Sequence, residues 1–218
     1  NGGTTAFSSA TETASIAVTA VNDAPVLDDS GTMTLTAITE GTASPSGDLV
    51  SAIIATSTAN SSNAITDVDA SPSEGLAVTQ VDNTNGNWEY SLDGGSTWSS
   101  FGSPSSLSAR LVAADANNRI RFVANSDFDD SVSPGLTFLA WDPSSGTDGA
   151  TADVSNTGAT TAFSSSSETA SISITPVNDA PVLDNNGTMT LTAINEDETD
   201  PAGTLVSALI ASAGGDRI

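Results

Sequence analysis

"TASIAVTAVNDAPVLD" occupies Thr13–Asp28, and "TASISITPVNDAPVLD" occupies Thr169–Asp184. In the first copy, apolar or small residues alternate with polar ones, which puts Ala14, Ile16, Val18 and Ala20 on one side. A period of two marks a half-buried strand. Each strand runs into Asn-Asp-Ala-Pro, where the fixed φ of proline stiffens the linker. Laying Phe7 on Phe163 sets an offset of 156 residues. At that offset "TTAFSSATETASIAVTAVNDAPVLDDSGTMTLTAITE" matches "TTAFSSSSETASISITPVNDAPVLDNNGTMTLTAINE" without a gap. The match resumes with "GDLVSAIIA" (Gly47–Ala55) over "GTLVSALIA" (Gly203–Ala211). So long a period describes tandem domains rather than the coil of a solenoid. One complete unit is expected over residues 24–179, with 1–23 closing a preceding unit and 180–218 opening a following one.

Further period-two runs follow through the unit. "TMTLTAI" aligns Met33, Leu35 and Ala37; "NWEYSLD" aligns Trp88, Tyr90 and Leu92 after an Asn85-Gly86 turn that suits a hairpin. "RIRFVA" contributes Ile120 and Phe122, and "LTFLAWD" contributes Leu136, Phe138 and Ala140. The run around Leu49–Thr56 is the one place that reads as a short helix. Short strands separated by Gly, Ser, Asn and Asp clusters predict an all-β fold, an antiparallel β-sandwich. The unit exceeds the usual sandwich of about 100 residues. The excess is assigned to the stretch 83–118 and to the polar loop Asp142–Ala162.

The composition restricts function as firmly as it restricts fold. The formal net charge is −23, and the only cations are Arg110, Arg119, Arg121 and Arg217. Nothing in such a chain could neutralise a row of phosphates, so a nucleic-acid partner is excluded. The three arginines of the unit are expected to pair with nearby acids. Cysteine and histidine are absent, which removes disulfides, thiolate chemistry, Ser-His triads and most transition-metal sites. There is no signal peptide and no apolar run long enough to span a bilayer. The first residue falls inside a repeat, which leaves room for export signals elsewhere on a longer chain.

A carboxylate-rich β protein of this kind invites calcium, a hard cation that takes six to eight oxygens and needs neither His nor Cys. Candidate ligands stand at expected strand ends. They are Asn22 and Asp23 in the linker, Glu40 closing the first strand, Asp67 and Asp69 in "TDVDAS", Asp127 in "NSDFDD" and Asp142 ending "FLAWD". Asn178, Asp179 and Glu196 repeat the linker and the strand-end acid. Asp129 and Asp130 read equally as turn residues. "DVDASPSEG" is no EF-hand, since Pro72 stands where the turn Gly belongs and Val78 where the bidentate Glu should fall.

"VNDAP" after a final strand, a Glu ending the first strand, "DVD", "ANSDFDD" and "FLAWD" together resemble the bacterial cadherin-like repeats of large secreted RTX-type and biofilm adhesins. The resemblance spans the whole unit, and "GNWEYSLDGGSTWSSFG" (Gly86–Gly102) also looks like a stretch common in such repeats. Asp129-Asp130 departs from the family's more usual Asn-Gly, and the unit is longer than the common repeat. The resemblance implies a cadherin/Ig-like sandwich in tandem array, with Ca²⁺ bound at the junctions by the ten residues just named. By the same pattern Asp67 and Asp69 would serve the junction at Asn22-Asp23, and Glu40 and Asp127 that at Asn178-Asp179.

The leading functional expectation is therefore a calcium-rigidified extender repeat of an extracellular or bacterial cell-surface adhesin, with neighbouring repeats as its partners. A second reading is a self-assembling extracellular filament or matrix protein whose partial units are completed by other copies. A third is a carbohydrate-binding module presenting Trp88, Tyr90, Trp98 and Trp141 to extracellular polysaccharide, although alternation favours Trp88 and Tyr90 as core partners. The chain is not expected to be an enzyme or to insert into a membrane. Its candidate acids recur with the repeat, and mechanical reach needs duplication where catalysis does not.

Overall fold

A computed structural model describes residues 3, 4, 6–57, 63–69 and 73–213. The chain divides into two compact units, Asn1–Pro176 and Val177–Ile218. In the first, the opening elements are short: β1 (Val26–Leu27), β2 (Met33–Thr34), β3 (Ile38–Thr39), β4 (Asp48–Leu49), α1 (Val50–Ile54) and β5 (Ile65–Thr66). Longer strands follow as β6 (Gly75–Val81), β7 (Gly86–Ser91), β8 (Ser99–Ser100), β9 (Ala109–Ala113) and β10 (Arg119–Ala124). The last are β11 (Ser131–Trp141), β12 (Thr151–Ala152) and β13 (Phe163–Thr175). The second unit carries α2 (Val206–Ala211).

These elements form an all-β sandwich. One sheet has the order β12-β9-β6-β11-β13-β2, with β3 also on β13; the other has the order β4-β10-β7-β8. A small ribbon pairs β1 with β5. All pairings are antiparallel except those of β2 and β3 with β13, which are parallel. The main core holds Leu76, Val78, Trp88, Phe122, Leu136, Phe138 and Ile172, all buried. It contains the residues that alternation assigned inward on β7, β10 and β11.

The larger sheet is buried on both faces. Ala77, Leu111, Leu139 and Trp141 make a second apolar cluster with Val154, Ala162 and Phe163. The stretch 142–162, expected as a loop in excess of the fold, covers this cluster. The Trp141 indole N–H donates to the Ser145 carbonyl at 2.8 Å, and the Val154 amide to that of Ser106 at 2.7 Å. The stretch 83–118 is no insertion either, since it supplies β7 and β8 to one sheet and β9 to the other.

Three local expectations need correction. The Asn85-Gly86 turn joins no hairpin: β6 and β7 belong to different sheets, so the connection crosses the sandwich. Trp88 anchors that crossing, its amide bonded to the Asn83 side chain and its indole N–H to the Asp82 carbonyl. Ala37 does not continue the buried face of Met33 and Leu35. Met33 pairs with Ala170 but Ile38 with Ile174, so the segment holds one residue more than β13 opposite it, and the alternation slips by one. Leu92 leaves the face of Trp88 and Tyr90 because β7 ends at Ser91, and it is exposed.

The run Ala14–Ala20 is not a strand. Residues 6–21 carry no regular structure and are exposed throughout. Residues 188–195 of the second unit likewise form no strand, and Leu191 and Ile194 are exposed there. The expected helix is present as α1, with Val50, Ile53 and Ile54 buried. Of the arginines in the first unit, Arg121 makes an ion pair, with Glu89 at 2.7 Å. Arg110 lies over the Tyr90 ring, and Arg119 donates to the Gly47 carbonyl.

Gly135 lies where β11 passes the ring of Trp88. A Cβ there would sit 2.5 Å from Trp88 Cζ2 and 3.1 Å from the Ala170 carbonyl oxygen, and Trp88 is fully buried. Gly135→Ala should therefore destabilise the unit by about 1–3 kcal/mol, as overpacking does, measured by chemical denaturation. After β7 the chain turns on Asp93, whose carboxylate accepts from the Thr97 hydroxyl at 2.7 Å, the Thr97 amide at 2.8 Å and the Ser91 hydroxyl at 2.7 Å. Those bonds, the Thr97 hydroxyl's first, hold the carboxyl below its usual 3.8, at about 2. The folded value is depressed, so the stabilisation is full above the unfolded value and is lost as pH falls toward 2. The Trp98 indole N–H, bonded to the Gly95 carbonyl in this turn, should report that loss by NMR with a midpoint near 2 rather than near 4.

Candidate metal centre

The linker octapeptide reaches the acids through strand pairing. Val26 pairs with Thr66 and Leu27 with Ile65. Continued outward, this antiparallel register sets Asp23 opposite Asp69, and the Asp23 amide donates to Asp69 Oδ2 at 3.1 Å. The Ala24 amide donates to the Ala159 carbonyl at 2.9 Å, and the Asn22 side-chain amide to those of Asp23 and Thr161. Asp67 and Asp69 follow β5 in a turn closed by the Asp69 amide on Asp67 Oδ1 at 2.9 Å.

Asp142 directly follows β11. It is in phase with Phe138 and Ala140, so alternation turns it toward the sandwich interior, and it is 7% exposed. Its amide donates to the Ala162 carbonyl, and its Oδ1 accepts from the Ser144 amide at 2.9 Å. Asp67, Asp69 and Asp142 each bring a carboxylate oxygen within 4.8 Å of the others. Asp67 Oδ2 and Asp142 Oδ2 are buried with no hydrogen-bond partner.

Three carboxylates so close repel one another, and a buried charge without a partner is costly. A divalent cation resolves both difficulties. Oxygens bound to one calcium at about 2.3–2.6 Å lie no more than roughly 5 Å apart, which the cluster satisfies. The donors are all oxygen, which suits a hard cation over a soft one. An open cleft of about 360 Å³ is lined in part by Asp23, Thr66, Asp67 and Ser165, so it borders one acid of the cluster.

Of the residues singled out in the sequence, Asp67, Asp69 and Asp142 are brought together, with Asn22 and Asp23 beside them. Glu40 and Asp127 form a second pair in the first unit, with carboxylate oxygens within 4.8 Å. The Asp127 backbone has φ 60°, a left-handed conformation uncommon for a residue with a side chain. Asp130 is a turn residue, its Oδ1 accepting from the Ser131 amide; Asp129 is exposed. Asn178, Asp179 and Glu196 lie in the second unit and are exposed. There Asn178 donates to the Asp179 carbonyl at 3.1 Å, as Asn22 does to that of Asp23.

Glu168 escaped notice in the sequence. It is 8% exposed, with Oε2 buried and unpartnered. The phase of Ala170, Ile172 and Ile174, followed two residues back, would have found it. Trp88, Tyr90 and Trp141 are buried and cannot form an exposed sugar platform, and Arg121 covers the Trp98 ring at 4.1 Å. A cleft of about 470 Å³ beside Arg121 and Asp48 has its charged groups already engaged. Asp48 accepts from the amide and hydroxyl of Thr36, and Arg121 donates to Glu89, Ser44 and the Pro45 carbonyl.

Comparison of the chain with protein-family models, with curated proteins and with solved structures returned no match. Asp142→Asn removes one of the three mutually repelling charges. In EDTA it should raise the melting temperature slightly, and it should shrink the rise that calcium produces by this site's share. A variant that melts lower than wild type in EDTA yet keeps the calcium response would argue against a cation there.

Proposed function

We propose that this chain is part of a tandem array of extracellular β-sandwich units, an extender of a bacterial surface adhesin, in which Ca²⁺ stiffens the joints. The observation that carries this reading is the pair of buried, unpartnered oxygens on Asp67 and Asp142, held next to a linker that the sequence writes twice. A metal at that place ties three elements together: the linker through Asp23, the turn after β5, and the end of β11. Without it the carboxylates repel and the linker loses its fixed direction. Glu40 and Asp127 are a second cation-binding pair in the same reading. The absence of Cys and His fits a role in which oxygen-bound metal takes the place of disulfides. No helix among the described residues is long and apolar enough to cross a membrane.

Extracellular calcium modules bind with dissociation constants of about 10⁻⁴–10⁻³ M. At about 10 mM calcium, each occupied site then adds roughly 1.4–2.7 kcal/mol to the folded state. For a domain of ordinary marginal stability that is a large share. Calorimetry and small-angle scattering of the intact chain test the reading together. Calcium should raise the melting temperature and narrow the distribution of interatomic distances, and EDTA should reverse both. Identical melting and scattering in the two buffers would reject it.

A further inference from the structure

β13 is hydrogen-bonded along both edges, to β11 on one side and in parallel to β2 and β3 on the other. Its inward residues Ala170, Ile172 and Ile174 are almost wholly buried. At the repeat offset these become Ala14, Ile16 and Val18, chemically the same face. Yet Ile16 is 89% and Val18 87% exposed. The place that such a strand would fill in this unit is already taken by β13.

The second unit separates what local sequence does from what the sheet does. The Thr34 amide bonds to the Thr56 hydroxyl at 2.9 Å, and the Thr190 amide to the Ser212 hydroxyl at 2.8 Å. The helix cap residues Leu49 and Leu205 share the same extended backbone, with ψ 141° in both. Local shape is thus kept, but Val206 is 71% exposed where Val50 is fully buried. Burial comes from the rest of a sandwich and not from the repeat segment itself.

We propose that Phe7–Thr19 is a docking strand whose partner is a second copy of the stretch 24–156, one that has no closing strand of its own. The proposal rests on the tandem reading and gives the joint between units a register. By the pairing of β13, Ala14 and Ser15 lie parallel to the copy's Met33 and Thr34, and Val18 and Thr19 to its Ile38 and Thr39. On the other edge Ala14 lies opposite the copy's Leu136. Main-chain bonds supply the attachment, and the alternate side chains Ala14, Ile16 and Val18 fill the copy's core; this is the logic of β-augmentation.

The test joins residues 24–156 to the N-terminus of the intact chain, so that Phe7–Thr19 follows them as β13 follows them here. A control carries 24–176 instead, which brings its own closing strand. Hydrogen exchange read by mass spectrometry, in calcium and in EDTA, reports on residues 7–19. The proposal expects protection on the order of a hundredfold or more in the first fusion and none in the control or the unextended chain. Ile16→Asp should remove that protection, and it should leave the melting of the unextended chain unchanged. Equal, fast exchange of 7–19 in both fusions would overturn the proposal, as would an added unit that folds only in the control. Cation binding predicts a difference between buffers instead, so protection without calcium dependence would spare the docking and count against the metal.

Discussion

The larger sheet is closed by one strand, and most of the unit is arranged around it. β13 spans Phe163–Thr175 and accepts partners on both edges. Its amide and carbonyl groups are satisfied by β11 for most of its length and by the β2–β3 segment near its end. The Leu35 and Glu40 amides extend that second ladder onto the Ser171 and Thr175 carbonyls, each at 2.9 Å. Over Ala170–Thr175 the strand is therefore covered on both sides, which shields that stretch from pairing with another chain. The same pairing explains why two-residue strands persist at all: β2 and β3 are too short to be stable alone and are held by the strand beside them.

Charge is the second constraint. With so few cations, several acids of this chain are stabilised instead by local N–H and O–H donors. Asp28, Asp82 and Asp153 each accept the amide two residues on, from Ser30, Thr84 and Ser155. This is the Asx-turn, and it accounts for much of the Asp-x-Ser/Thr content. Bonds from Ser30, Thr84 and Ser155, side chain first and backbone second, lower the carboxyls of Asp28, Asp82 and Asp153 below their usual value. Asp67 and Asp142 use the same device for one oxygen each, through the Asp69 and Ser144 amides. Their other oxygens are buried without a donor, which sets them apart from the solvated majority.

The sandwich was legible in the sequence because alternation and burial coincide on β7, β10 and β11. Tertiary context decided the rest. Asn85-Gly86 has the chemistry of a hairpin turn, but Trp88 packs into the main core beside Phe122, with ring centroids 5.0 Å apart, and that contact carries the chain to the opposite sheet. The polar composition of 142–162 concealed Val154 and Ala162, two apolar residues that suffice to seat it over Trp141. In the cluster, Asp67 and Asp69 are neighbours in sequence and were easy to pair. The arrival of Asp142 depends on the length of β11. The strand character of Ala14–Ala20 was readable, but a strand exists only where another strand receives it.

The parallel run of β2 and β3 along β13 bears on how the unit carries tension. The chain enters near Ala24 and leaves near Pro176, and past the short β1 ribbon the β2–β3 segment and the last strand of the sandwich point the same way side by side. A pull on those two points acts along the strands in opposite senses. The bonds between them are then loaded together in shear rather than opened one after another like a zipper. Such a unit resists most strongly a pull directed along those strands.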